Sequence, residues 1–281
     1  MKKWIFIFFI IEIVFVGAAP LFAESITWYQ PDFPPYVILD GSDKKHGIDN
    51  NIVQTVVDRL PEYEHVYEVA NYRRILRNLS SGRNGIITPL FKIPAREKYV
   101  HYTKKPSYLV YSNGFLYPDG EKDKFAAFIL KDGSIDLDAL CVSGQVKIGI
   151  NAGRSYYGII DEIIGKYGDE CFVARSAIDH LGMFKMVQAN RVDAAIGFPV
   201  EVKYAGMQGM LEYLSVSQMD VLTAVYFGAA KNTFGREIVD RLNAILDERA
   251  ITDQFSQYYM YWLDDALKAD YEKVSREYER N

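Results

Sequence analysis

The sequence predicts an α/β fold of two lobes, each a sheet flanked by helices, with the chain crossing between them twice. Three observations carry this reading. Short β-branched strands alternate with amphipathic helical stretches from residue 25 onward. The alternation restarts at a new apolar strand, Val146 to Ile150, after a polar and charged stretch from Pro118 to Lys124. A last apolar strand, Leu222 to Ala230, lies far along the chain. Alternation of this kind builds a sheet with crossover helices, and its restart calls for a second sheet with a core of its own. The boundaries read this way are a leader over 1–23, lobe one over 24–113 and 219–281, and lobe two over 114–218.

Taken in order, Ser25 to Trp28 reads as a strand that Pro31, Pro34 and Pro35 interrupt. A turn over Gly41 to Gly47 leads into a helix whose Ile52, Val53, Val56, Val57 and Leu60 share one face, with Asp49 or Asn50 placed to cap it and Pro61 to stop it. His65 to Val69 is the next strand, Ile75, Leu76 and Leu79 face inward from the next helix, and Gly85 to Thr88 is a third strand. In the second lobe Gly153-Arg154-Ser155 opens a helix carrying Ile159, Ile160, Ile163, Ile164 and Tyr167. Phe172 to Ala174 is a strand, Ser176 to Asn190 a helix and Ala194 to Gly197 a strand. After Leu222 to Ala230 comes a helix over Arg236 to Arg249, and the charged tail beyond Asp264 reads as a solvated helix.

Residues 1–23 place the chain outside the cytoplasm. Lys2 and Lys3 precede a nearly unbroken apolar run from Trp4 to Val16, and Leu21-Phe22-Ala23 ends the segment. This is the pattern of a secretory signal peptide cut after Ala23, because the run is short for a bilayer span and holds Glu12. No cysteine near the cut offers a lipid anchor, so the mature chain is expected free in the periplasm, as a monomer.

The remaining 258 residues suffice for one large or two ordinary domains. Losing Lys2, Lys3 and Glu12 takes the formal charge from −5 to −6. A mildly acidic surface argues against nucleic acid, whose backbone calls for concentrated positive charge. Tyr alone contributes 21 residues, and its flat apolar body with one polar tip suits wet cores and small-molecule pockets alike. Cys141 and Cys171 are the only cysteines. In an oxidising compartment such a pair is expected to form a disulfide. His46, His65, His101 and His180 are scattered without ligand spacing, so neither a metal nor a cofactor is expected.

Several segments, in order, resemble the family 3 extracellular solute-binding proteins, which share the two-lobed type II periplasmic binding fold. Asp32-Phe33-Pro34-Pro35-Tyr36 resembles the family's Pro-Pro-aromatic segment, followed by Gly47-Ile48-Asp49 at the first helix. Leu79 to Gly82 matches its Leu-x-x-Gly. Lys92-Ile93-Pro94-Ala95-Arg96-Glu97-Lys98, with Tyr102-Thr103 and Pro106-Ser107-Tyr108 after it, resembles its arginine loop. Val146 to Ser155 resembles its second-lobe strand and hydroxyl turn, and Arg191-Val192-Asp193-Ala194 its Arg-Val-Asp-Ala.

The resemblance implies a small carboxylate-bearing, amino-acid-like ligand trapped between the lobes. Arg96 is the expected grip, since a guanidinium binds a carboxylate through two parallel hydrogen bonds. Ser155, read at a helix start, would add a hydroxyl and first-turn amides to an anion site. Phe33, Tyr36, Tyr72 and Tyr156 are candidate walls. Asp193 is read as supporting the sheet. Two departures stand out. Phe198 occupies the place of the acid that holds a ligand ammonium in the family's amino-acid binders, with Glu201 as the candidate replacement. Phe91 and Ile93 replace small hydroxyl residues before the arginine. The carboxylate half of the site thus survives better than the amine half.

The partner implied is the membrane permease of an ABC importer; the alternatives are a sensory receptor or kinase, or a dehydratase-like enzyme on the same fold. Gly153-Arg154-Ser155-Tyr156-Tyr157 lacks the last glycine of a nucleophile elbow, and neither a phosphate-binding glycine loop nor a His-Glu-x-x-His motif is present. A binding protein without catalysis is the reading preferred.

Overall fold

The computed structural model describes residues 24–175 and 181–278. The leader, the first part of the Ser176 to Asn190 helix and His180 lie outside the described residues. Two sheets account for the strands. In the first, β1 (Ser25–Gln30), β2 (Glu64–Val69) and β3 (Ile86–Phe91) run parallel in the order β2-β1-β3. The long strand β11 (Leu222–Ala230) joins β3 antiparallel, and β4 (Val100–Tyr102) and β5 (Tyr108–Tyr111) pair with it in turn. In the second, β7 (Ile148–Asn151), β8 (Phe172–Arg175) and β9 (Ala194–Gly197) are parallel in the order β8-β7-β9. Two antiparallel strands, β6 (Gly114–Pro118) and β10 (Leu211–Leu214), complete it. Each lobe is therefore a three-stranded parallel core extended by antiparallel strands.

The chain passes between the sheets at residues 112–113 and again at 215–221, and the two passages are tied together. Ser112 donates its backbone N–H to Val221 O at 3.0 Å and its hydroxyl to Asp220 O at 2.6 Å. Tyr213 caps the same point by donating to Ser112 O at 3.1 Å.

Helix α1 (Ile48–Val57) forms because Ile48, Ile52 and Val56 recur on one face, each fully buried, and such burial stabilises by about 1.5–3 kcal/mol per side chain. Of the two residues placed to cap it, the structure uses Asn50. Gly47 is the N-cap and Asn50 Oδ1 reaches back to the Gly47 N–H at 3.2 Å, which frees Asp49 for the interior. Helix α2 (Tyr72–Ser80) is capped by Asn71, whose side chain accepts from Arg74 N at 2.9 Å.

The larger correction concerns the helix after β7. Gly153, Tyr157 and Gly158 all have left-handed φ, at 75°, 70° and 59°, and such residues cannot propagate a right-handed helix. Helix α5 (Ile159–Tyr167) therefore starts after Gly158, and residues 152–158 form a loop. The tail also departs from a merely solvated helix. In α10 (Asp265–Tyr278) Tyr271 is 1% exposed and donates to Leu109 O at 2.9 Å, while Tyr111 donates to Leu267 O at 3.0 Å. Two further helices, α8 (Thr233–Leu246) and α9 (Arg249–Met260), replace the single one expected over Arg236 to Arg249. A Cys141–Cys171 disulfide joins the short helix α4 (Leu137–Val142) to the start of β8. No helix among the described residues is long and apolar enough to cross a membrane.

Candidate functional site

In open α/β sheets the loops beyond the carboxyl ends of the parallel strands gather in one place. Here the loop after β1 carries Phe33 and Tyr36, and β3 ends at Phe91 just before α3 (Pro94–Glu97) with Arg96. The loop after β7 carries Arg154 to Tyr157, and Phe198 follows β9 as the N-cap of α7 (Pro199–Tyr204). The lobes meet where these loops meet. Phe198 lies edge-on to Phe33 and Tyr36, with centroids 6.2 and 5.6 Å apart, and Phe91 stacks on Tyr157 at 5.7 Å. Phe33 also stacks on Tyr36 at 5.2 Å and meets Tyr72 edge-on at 6.2 Å.

The centre of this aromatic lining is charged. Arg154 Nη1 donates to Glu201 Oε1 at 2.8 Å and Nη2 to Glu201 Oε2 at 3.1 Å, a two-armed ion pair. Its guanidinium carbon lies 5.2, 5.0 and 5.2 Å from the ring centres of Phe33, Tyr156 and Phe198. Nη2 also donates to Asn113 Oδ1 at 3.2 Å, in the first passage between lobes. The Glu201 side chain is 0% exposed and also accepts the Phe198 N–H at 2.8 Å. Sequence reasoning singled out Phe198 and Glu201 but passed over Arg154. The 47 residues between Arg154 and Glu201 give no spacing signal; the one available hint was an arginine directly after a glycine at the end of a buried strand.

Arg96 stands on the lobe-one side, with Nη1 donating to Phe91 O at 3.1 Å. Tyr72 lies within electrostatic reach of both guanidiniums. Burial raises its hydroxyl pKa and Asp49 raises it further, while Arg96 and Arg154 both pull it down. Tyr36 is 2% exposed, and its hydroxyl is buried without a hydrogen-bond partner in the protein. Burial raises its pKa well above 10.0, with Glu201 and Asp49 adding to the effect. Asp49 is 1% exposed, accepts from Tyr108 at 3.1 Å and from Thr88 at 3.3 Å, and burial holds its pKa well above the usual carboxylate range.

Ser155 does not head a helix. It is exposed in the 152–158 loop and donates to Asp161 Oδ2 at 2.6 Å, and the same carboxylate accepts the Tyr156 and Tyr157 N–H groups at 2.7 and 3.1 Å. The amides expected to form an anion site are thus already bound. Tyr156 is fully buried in the second lobe's core and its hydroxyl accepts the Asn151 N–H at 2.7 Å, so the ring offers Arg154 a face and little else. Asp193 supports the fold as read: it accepts from Lys147 N and Lys124 Nζ, both at 2.7 Å. Among the described residues no cluster of His, Cys, Asp or Glu is arranged to hold a metal ion.

Known proteins place this geometry in context. Among solved structures, a probable amino-acid ABC transporter extracellular-binding protein from Bacillus subtilis superposes with a TM-score of 0.65 at 16% identity, covering 87% of this chain and 99% of that one. An ancestral amino acid-binding protein described as a precursor of cyclohexadienyl dehydratase gives 0.60 at 16%, covering 86% and 96%. A histidine kinase sensor domain with similarity to periplasmic binding proteins gives 0.58 at 16%, covering 85% and 96%. At such identities the likeness establishes the fold and not the ligand. No curated relative matches by sequence. Residues 26–265 match the bacterial extracellular solute-binding proteins of family 3, a span covering most of the chain. With its paired sheets, double passage and aromatic junction at the strand ends, this chain belongs to that family.

Proposed function

We propose that this protein captures a small carboxylate-bearing solute between its lobes, outside the cytoplasmic membrane, and delivers it to the permease of an ABC importer. One observation supports this above the rest: aromatic residues from both lobes converge on a single junction, with Arg96 on one side and the Arg154 loop on the other. Opening at the tied passages around Ser112 would part Phe91 from Tyr157 and admit the ligand, and closure would sequester it. Arg96 grips the carboxylate, Phe33, Tyr36, Tyr72 and Phe198 wall it, and Tyr156 backs Arg154. Ser155 joins only by giving up Asp161. Glu201 serves the site by holding Arg154. Catalysis is not part of this reading.

A thermal-shift screen of organic acids and amino acids tests capture, because a ligand that binds only the folded state raises Tm. Arg96→Ala should weaken the best ligand by about thirty-fold or more, the worth of a charge-assisted bidentate contact at roughly 2–5 kcal/mol. Unchanged affinity would remove Arg96 from the site. A sensory role shares this cleft, and the kinase sensor domain among similar structures supports keeping it as the second reading. Co-purification of the loaded protein with its membrane partner decides between permease and receptor.

A further inference from the structure

We infer that Arg154 is a tethered cation that occupies the cationic half of the cleft, so that the ligand is a carboxylic acid without an amine, carried on an apolar body. This rests on the solute-binding reading and narrows the ligand class for the same site.

An amine needs an acceptor. Among the described residues, the carboxylates that are not exposed on the elements that form the cleft are all engaged elsewhere. Glu201 is 0% exposed and holds both arms of Arg154 as well as the Phe198 N–H. Asp49 is 1% exposed and holds the Tyr108 and Thr88 hydroxyls, and burial favours its neutral form. Asp161 holds Ser155, Tyr156 and Tyr157. Asp32, beside Phe33, and Glu97, on α3, are both exposed to water, and Glu97 has Lys92 Nζ 3.8 Å away. A ligand ammonium entering the cleft would leave water for no partner.

The cation's place is also taken. Aromatic faces grouped around a point attract a positive charge, and the faces of Phe33, Tyr156 and Phe198 already surround the Arg154 guanidinium at 5.0 to 5.2 Å. What the cleft still offers suits an anion. Arg154 and Glu201 offset each other as an ion pair, and Arg96 is the further cation acting on Tyr72, against an Asp49 whose burial favours its neutral form. The Tyr36 hydroxyl is a buried donor with no protein partner. Arg96 commits Nη1 to Phe91 O, and its fork has further donors. The rings of Phe33, Tyr72, Phe91 and Tyr157 supply an apolar wall for the ligand body.

Matched pairs that differ only in the amine test this: 4-methylpentanoate against L-leucine, 3-phenylpropanoate against L-phenylalanine, and glutarate against L-glutamate. Each is titrated calorimetrically into the protein purified after expression of the full-length chain. The amine-free member of any binding pair should be tighter by at least about tenfold. In Arg154→Gln, Glu201 is released to accept a ligand ammonium, so the preference should shrink or invert; a purely structural role for Arg154 would weaken both members alike. Should Arg154→Gln fail to fold, Arg154→Lys keeps the tethered charge and should keep the preference. An amino acid binding as tightly as its amine-free partner overturns the inference while the solute-binding reading stands. If no member of any pair binds, the carboxylate reading of the site falls, and the inference with it.

Discussion

Each lobe buries one carboxylate beside the cleft, and the two are neutralised in opposite ways. In lobe one, Asp49 faces only hydroxyls, those of Tyr108 and Thr88, and burial shifts it toward its protonated form. In lobe two, Glu201 is matched by Arg154 in a two-armed ion pair. Burying a charge is costly unless it is paired or titrated away, and the two lobes use one solution each. The difference matters for function. A neutral acid leaves lobe one's wall to the aromatic rings and Arg96, whereas lobe two keeps an ion pair in the cleft, its guanidinium fixed in place by Glu201.

Breaking the lobe-two pair should have the largest effect. Glu201→Ala strands Arg154 among three rings and should cost about 3–5 kcal/mol in urea denaturation. A loss under about 1 kcal/mol would mean that Arg154 swings to water at little cost, and that the pair does not lock the loop.

The lobes differ in covalent bracing as well. Lobe two carries the Cys141–Cys171 link across a separation of 30 residues. Lobe one relies instead on tyrosine hydroxyls, such as Tyr271 to Leu109 O and Tyr259 accepting the Tyr111 N–H at 2.8 Å. Replacing both cysteines by serine should cost about 3–4 kcal/mol through restored chain entropy in the unfolded state. Hydrogen exchange should show the loosening in β7 and β8 and leave β1 to β3 unchanged; a uniform change would mean that the lobes unfold as one unit.

How far the sequence reveals this comparison depends on the kind of signal. Central strands such as the parallel Ala194 to Gly197 and the long antiparallel Leu222 to Ala230 are legible because a strand covered on both faces reads as a nearly continuous apolar run. The start of α5 is not, because isoleucine periodicity says where a helix buries its face and nothing of Tyr157 adopting a left-handed φ of 70°. Asp49 and Asn50 read alike as candidate caps, since polar residues at a helix start ordinarily serve as caps; the burial of Asp49 follows from Tyr108 and Thr88, which arrive from β5 and β3. The Arg154–Glu201 pair is invisible in sequence for the same reason, being made by a loop and the first turn of α7, which only the second sheet brings together. The sequence offers Glu201 as a replacement acid for a ligand ammonium, whereas the fold gives it Arg154 as its partner.

The smallest effect should come from Asp49, and pH separates it from a simple loss of contacts. Burial raises its pKa well above 3.8, so the native state keeps this proton to higher pH than the unfolded chain does. The stability tied to that proton is whole below the unfolded pKa and is lost as pH rises through the folded one, by about 1.4 kcal/mol per pH unit between the two. Asn cannot ionise and retains a similar shape. Asp49→Asn should therefore match the wild type to within about 1 kcal/mol near pH 3.5. It should gain on the wild type steadily as pH rises from about 4 toward 6. Urea midpoints for both proteins across that range give the measurement. Parallel pH curves would show that Asp49 is ionised in the native state, and the contrast between a titrated acid in lobe one and a paired acid in lobe two would fail at its lobe-one end.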